Sequence, residues 1–155
     1  MLVQIWTDGA TLGHNKMGKT KEVGLGVYCQ SPPISIAERV PGLSSNEAEF
    51  LALIRGMNEA IKLNLKKVHF FLDSKIVVNR ASVWITKDGV PSRRPKGKFR
   101  NPRMDKFQDQ VLMLRSCFDE VHFYWIPREQ NEIADGLSKI ALHKLIYPRP
   151  SLDKS

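Results

Sequence analysis

The chain has 155 residues, 42% hydrophobic and 26% charged, which suits one globular domain and excludes a fibrous repeat or a disordered chain. A formal charge of +8 and a pI near 9.7 favour a polyanionic partner, nucleic acid or an anionic membrane surface. No apolar run approaches the roughly 18 residues that span a bilayer, and residues 2–6 lack a basic-then-apolar leader, so a cytoplasmic protein without a membrane partner is expected.

Residues 2–7 are rich in β-formers and run into Asp8-Gly9, a strand followed by a turn. Two more strands are predicted at 23–29 and 34–40, divided by glycines and the Pro32-Pro33 pair. Ser45 or Asn46 then caps a helix with Phe50, Leu53, Ile54, Met57 and Ile61 on one stripe, ending near Asn64. Val68–Leu72 reads as a strand stopping at Asp73-Ser74, and Ile76–Val83 as a helix, so a meander gives way to strand–helix alternation. From Lys87 to Arg103 periodicity disappears into a basic loop, and a helix resumes over Asp105–Cys117. Val121–Ile126 is the last strand, Pro127 breaks it, and Asn131 caps a final helix stopped by Pro148 and Pro150. This gives one domain over 1–147 and a polar tail over 148–155. Cys29 and Cys117 lack the paired spacing of a zinc site and read as buried thiols in a reducing compartment.

Asp8 and Asp73 fall at the carboxyl ends of predicted strands, where open α/β sheets place their ligand crevice. Both also suit turns. Glu49 and Asp135 fall in the first turns of helices, where the macrodipole alone favours carboxylates. As a set they fit phosphodiester cleavage by two divalent ions, which needs converging carboxylates to hold cations roughly 3.5–4 Å apart. Hard oxygen ligands suit magnesium, with manganese as the alternative. Glu47 competes with Glu49, and residues two apart on a helix point about 200° from each other, so both cannot face one site.

Thr7-Asp8-Gly9-Ala10, Ser45-Asn46-Glu47-Ala48-Glu49, Leu72-Asp73-Ser74 and Ala134-Asp135-Gly136-Leu137 resemble, in order and spacing, the motifs of type 1 ribonuclease H across nearly the whole chain. The resemblance implies an α/β fold of the ribonuclease H kind: a five-stranded mixed sheet, its first three strands antiparallel, with helices packed on it. It implies hydrolysis of the RNA strand of an RNA–DNA hybrid by two-metal-ion catalysis, leaving 5′-phosphate and 3′-hydroxyl ends. The metal ligands carried over are Asp8, Glu49, Asp73 and Asp135, with Glu49 preferred by family spacing. Glu47 is then a surface charge or a neighbour of substrate. A monomer is expected.

Where many members carry a histidine before the last helix, this chain reads Pro127-Arg128-Glu129-Gln130-Asn131, similar to a subgroup with arginine in that neighbourhood. Arginine stays protonated and cannot be a general base. Arg128 is expected to hold phosphate or developing charge, the alternative being a solvated residue paired with Glu129. The four histidines, His14, His69, His122 and His143, show no ligand spacing. None is assigned to catalysis.

The stretch 87–106 holds eight cations against two aspartates, six of the chain's eight net charges. Its bland reading is a solvated loop. Similar enzymes have a basic protrusion here that grips the DNA strand, which would give Arg93, Arg94, Lys96 and Lys98 to phosphate. Trp84 matches by spacing an aromatic that packs on DNA in the family, or else packs in the core. Ser45 and Asn46 resemble residues that contact the backbone at a helix N-terminus, and Gly9 would let the main chain approach RNA. The 2′-hydroxyl would distinguish the strands. Two rivals stand beside this reading: a silent hybrid-binding domain of the same fold, and a recombinase or resolvase acting on DNA.

Overall fold

A computed structural model describes residues 1–12, 22–92 and 101–146. The tail at 148–155 and the loop cations Arg93, Arg94, Lys96 and Lys98 lie outside the described residues. The meander is β1 (Leu2–Thr11), β2 (Glu22–Cys29) and β3 (Ile34–Pro41), paired antiparallel. β4 (Lys67–Leu72) joins β1 in parallel and β5 (Glu120–Trp125) joins β4 in parallel, giving the order β3-β2-β1-β4-β5. The five-stranded mixed sheet, with its first three strands antiparallel, is as expected.

Strand β1 does not turn at Asp8-Gly9. It continues to Thr11, because Asp8 pairs with Gly26 and Gly9 with Leu25, and a full ladder of backbone hydrogen bonds outweighs the local turn preference of Asp-Gly. Asp8 is therefore inside a strand rather than at its end.

Alternation along the strands sorts the two faces. Val3, Ile5, Val68, Phe70 and Leu72 are buried and pack in one core with Phe50, Leu53 and Met57 of α1 (Ser45–Lys62), Val77 of α2 (Lys75–Ala81) and Val111 of α3 (Pro102–Arg115). Phe70 stacks on Phe123 at 5.8 Å between ring centres. Truncating so large a side chain at a fully enclosed site costs about 3–5 kcal/mol. On the other face lies α4 (Glu132–Ile146), which meets β2 at bare backbone. A Cβ on Gly26 would sit 2.1 Å from the Ala134 carbonyl oxygen, and one on Gly24 would sit 2.0 Å from that of Ser138.

Helix boundaries differ from the expectation by a few residues, each for a local reason. Ser44, not Ser45 or Asn46, caps α1: its Oγ accepts from the Glu47 N–H at 3.2 Å. Asn64 takes a left-handed φ of 61° just beyond the helix, a conformation asparagine tolerates, so the end near Asn64 holds. α2 stops at Ala81 rather than Val83, and Arg115 donates to the carbonyls of Ala81 and Val83 at 3.0 and 2.8 Å. α3 begins at Pro102, three residues early, because Asn101 caps it through Met104 N–H and Pro102 supplies a pre-set φ. Arg80 ties α2 to α3 by donating to Asp105 and Gln108, each at 3.1 Å. Cys29 is buried as expected, but Cys117 follows α3 in an exposed turn. Among the described residues no helix is long and apolar enough to cross a membrane.

Candidate active site

Four elements converge at one end of the sheet. β1 brings Asp8, the first turns of α1 bring Glu49, the end of β4 brings Asp73, and the first turn of α4 brings Asp135. Carboxylate oxygens of Asp8, Glu49 and Asp73 lie within 4.8 Å of one another, and Asp8 shares hydrogen bonds with both Glu49 and Asp135. Gly9 makes the approach of α1 possible, since a Cβ there would fall 2.3 Å from the carbonyl carbon of Ala48. The missing side chain is thus required by the helix, and Gly9 also lines the cleft on which the carboxylates open.

Burial and repulsion act together on this group. Asp8 is pushed up to about 7, first by burial, then by its hydrogen bond with Asp135 and the charges of Asp73 and Asp135, against the lowering effect of its bond with Glu49. Glu49 is pushed up to about 10, again first by burial and then by Asp8 and Asp73, although the backbone N–H of Gly9 favours its anion. At Asp135 burial also pushes upward, but the hydrogen bonds with Asp8 and Lys139 outweigh it and leave the carboxyl below its ordinary range. Lys139 stands 3.0 Å from Asp135. Without a cation, the cluster must hold protons to limit its own repulsion.

The cluster opens on a cleft of about 920 Å³ lined by Gly9, Ser45, Asn46, Asp73, Arg128 and Asp135, among others. Arg128 lies in a single turn of 3-10 helix, Arg128–Gln130, exposed on the cleft wall and near enough to Asp135 to favour its anion. Trp84 is elsewhere. It is 79% exposed, so it is not a core residue, and it lines a separate hollow of about 260 Å³ with Arg115, His122 and Tyr124.

Glu47 is neither a surface charge nor a neighbour of the cleft. It is 2% exposed, accepts from the Leu43 N–H at 2.7 Å and takes Nη2 of Arg103 at 2.9 Å. Arg103 holds its carboxyl below the ordinary range. Ser44-x-x-Glu47 has the sequence form of a capping box, but here Ser44 Oγ accepts from the Glu47 N–H while Glu47 accepts from Leu43, one residue before the cap.

The RNase H family model matches residues 2–143. The chain belongs to the RNase H family. It is 30% identical over 99 residues to the bifunctional protein Rv2228c of Mycobacterium tuberculosis, covering 64% of this chain and 24% of that one. This RNase H domain thus spans about a quarter of the length of that relative. The crystal structure of RNase H1 from the halophilic archaeon Halobacterium salinarum superposes with a TM-score of 0.69 at 21% identity, covering 93% of this chain and 99% of that one. LC11-RNase H1 in complex with an RNA/DNA hybrid gives 0.68 at 22% identity, covering 93% and 99%. At these identities the two structures show the fold.

One residue of the RNase H site went unrecognised in the sequence. Asn131 is 1% exposed, and instead of capping α4 through its side chain it donates Nδ2 to the Thr7 carbonyl at 2.9 Å and to Asp73 Oδ2 at 3.2 Å. It joins β1, the end of β4 and the start of α4. Trp125 adds a second tie, donating Nε1 to the Asp73 carbonyl at 3.2 Å. A buried asparagine beside a helix start reads first as a cap, so only its tertiary partners distinguish the two roles.

Proposed function

We propose that this RNase H domain hydrolyses the RNA strand of RNA–DNA hybrids by two-metal-ion catalysis, leaving 5′-phosphate and 3′-hydroxyl ends. The observation that carries the reading is the convergence of Asp8, Glu49 and Asp73 within 4.8 Å, with Glu49, Asp73 and Asp135 lining an open cleft. Glu49 fits a cation in particular. Its Oε1 is buried without a hydrogen-bond partner, a costly arrangement for a carboxylate that a hard divalent ion relieves.

Asp8, Glu49, Asp73 and Asp135 would hold the ions, and an all-oxygen donor set suits Mg²⁺, with Mn²⁺ as the alternative. When bound, such ions supply the positive charge and Lewis acidity on which phosphodiester hydrolysis draws. The chain's own residues do the remainder. Asn131 fixes the carboxylate of Asp73, and Lys139 steadies that of Asp135. Arg128 offers a planar fork to a phosphate oxygen from the cleft wall, a role that fits the resemblance to the subgroup with arginine where others carry histidine. Ser45 and Asn46 present the start of α1 to the nucleic-acid backbone, where amide N–H groups favour phosphate. The basic run that includes Arg93, Arg94, Lys96 and Lys98 would grip the DNA strand, and Trp84 would lie against it. The hybrid seen with LC11-RNase H1 supports this choice of substrate.

The experiment is a cleavage assay on matched RNA–DNA hybrid, double-stranded RNA and double-stranded DNA, each with Mg²⁺ or chelator. The expected result is cutting of the RNA strand of the hybrid with Mg²⁺ and of nothing with chelator. Equal cutting of double-stranded DNA, or cutting in chelator, overturns the reading.

A further inference from the structure

A second set of metal-ligating side chains lies on the α4 face of the sheet, in the part α4 does not reach. Strand alternation puts Glu120 and His122 on one side of β5, and the parallel register sets His122 beside His69 of β4. Trp6 pairs with Tyr28 and with Phe71, so the odd-numbered residues of β4 share the face on which α4 covers β2. His69 is therefore on that face.

The three side chains meet closely. Nε2 of His69 is 3.3 Å from Glu120 Oε2, and Nε2 of His122 is 3.8 Å from the same oxygen. One donor atom from each residue lies within 4.8 Å of the others, and the two imidazoles stand edge to face at 5.2 Å. A tetrahedral ion with bonds of about 2.0–2.2 Å separates its ligand atoms by about 3.3–3.6 Å. The two separations to Glu120, 3.3 and 3.8 Å, sit near that value. The strand register thus brings both imidazoles to one carboxylate oxygen.

The surroundings suit a bound ion. His69 packs edge-on against Tyr124 at 5.0 Å, and Tyr124 stacks on Phe71 at 5.5 Å, which restrains the imidazole and excludes water from one side. Glu120 and His122 are 42% and 54% exposed at their side chains, leaving the outer side open to a fourth ligand such as water.

We propose that His69, Glu120 and His122 form a binding site for a first-row transition ion of the Zn²⁺ class. Two imidazoles and one carboxylate prefer such an ion to the hard cations that suit Asp8, Glu49 and Asp73. The site is distinct from the cleft, since His69 lies four residues back along β4 from Asp73, roughly 13 Å at strand rise. Its occupancy pins edge strand β5 to β4, and β5 leads directly to Trp125 and Arg128.

The test uses the full chain carrying Asp73→Asn, in saturating Mg²⁺ so that the cleft does not compete, with Co²⁺ as a spectroscopic probe. One equivalent of Co²⁺ should bind with the visible absorption of a tetrahedral site and be displaced by Zn²⁺. His122→Ala and Glu120→Gln alter exposed side chains and so should keep the fold, as circular dichroism will verify. Each should weaken binding by more than the roughly 10–100-fold that loss of an outer-shell partner costs a metal site. Zn²⁺ should raise the melting midpoint of the parent but not that of His122→Ala. Unchanged Co²⁺ affinity in both variants overturns the proposal, as does binding abolished only by replacing His14 or His143.

Discussion

Glu47 and Glu49 are two residues apart on one helix, both buried, and their carboxyls behave oppositely. Glu47 faces Arg103 and the Leu43 N–H and stays ionised below its ordinary range; Glu49 faces Asp8 and Asp73 and is pushed up to about 10. Burial is common to both, so the partner decides. A carboxylate already matched to a cation holds the fold together, whereas one matched to other carboxylates is waiting for a cation from outside. Locally, Glu47 is marked by its contacts with Leu43 and Ser44, whereas the setting of Glu49 comes from the distant Asp8 and Asp73.

Removing the charge at each position separates the two roles. Glu49→Gln should lower the single-turnover cleavage rate on the order of 10³-fold or more, the scale expected when part of a catalytic unit is lost, while hybrid affinity survives. Activity within a few-fold of the parent would move Glu49 out of the site. Next in size is Asn131→Ala, which frees Asp73 without touching a ligand. It should raise the Mg²⁺ concentration needed for half-maximal rate by roughly 10–100-fold, with the rate at saturating Mg²⁺ much less affected. An unaltered Mg²⁺ titration would reduce Asn131 to a structural tie.

The carboxyls of Glu47 and Glu49 also respond to pH with opposite sign. Asp8 and Glu49 are raised from ordinary values of 3.8 and 4.5, so the metal-free native state keeps protons that the unfolded chain has released, and stability falls as pH rises through that interval. In chelator the melting midpoint should decline from about pH 4 through about 7, where Asp8 ionises, to about 10, where Glu49 does, and Mg²⁺ should recover more of it at the higher pH. The Asp8→Asn, Glu49→Gln double variant should flatten the decline; an equally steep decline there assigns it to other groups. Glu47 has the opposite sign: its contribution is complete above 4.5 and lost as pH falls through its lowered value. The smallest effect is Glu47→Ala. The lost hydrogen bond to the Leu43 N–H should cost about 2 kcal/mol, roughly 4–8 °C in melting midpoint at this length. Cleavage by the folded fraction should hardly change, and a large loss of rate at normal stability would return Glu47 to the cleft.

Much of this architecture was legible because it rests on local signals. Runs of β-forming and apolar residues bounded by glycine, proline or aspartate placed all five strands, the stripe from Phe50 to Ile61 placed α1, and the resemblance to ribonuclease H motifs picked out Asp8, Glu49, Asp73 and Asp135. What escaped depended on residues far apart in the chain. The continuation of β1 through Asp8 depends on pairing with Gly26, a register that the local Asp-Gly turn signal opposes. The start of α3 was obscured by the cations around Asn101 and Pro102, though both are sound start signals. Asn131 looked like a cap because its partners, Thr7 and Asp73, are elsewhere in the chain. His69 and His122 seemed unrelated because no linear spacing expresses a register between parallel strands.

The bare backbone of β2 beneath α4 means that the position of Asp135 is set partly by atoms that are not there. A Cβ at Gly26 would collide with the Ala134 carbonyl, one residue before Asp135, and would lift the start of α4 from the sheet. In a random-mutagenesis survey scored by activity alone, Gly26 would therefore cluster with the acidic residues although it donates no chemical group. Counting inactive variants would draw the boundary of the active site too wide on this side. Scoring the same library for retained fold as well as turnover would separate side chains that react from the empty space that aims them.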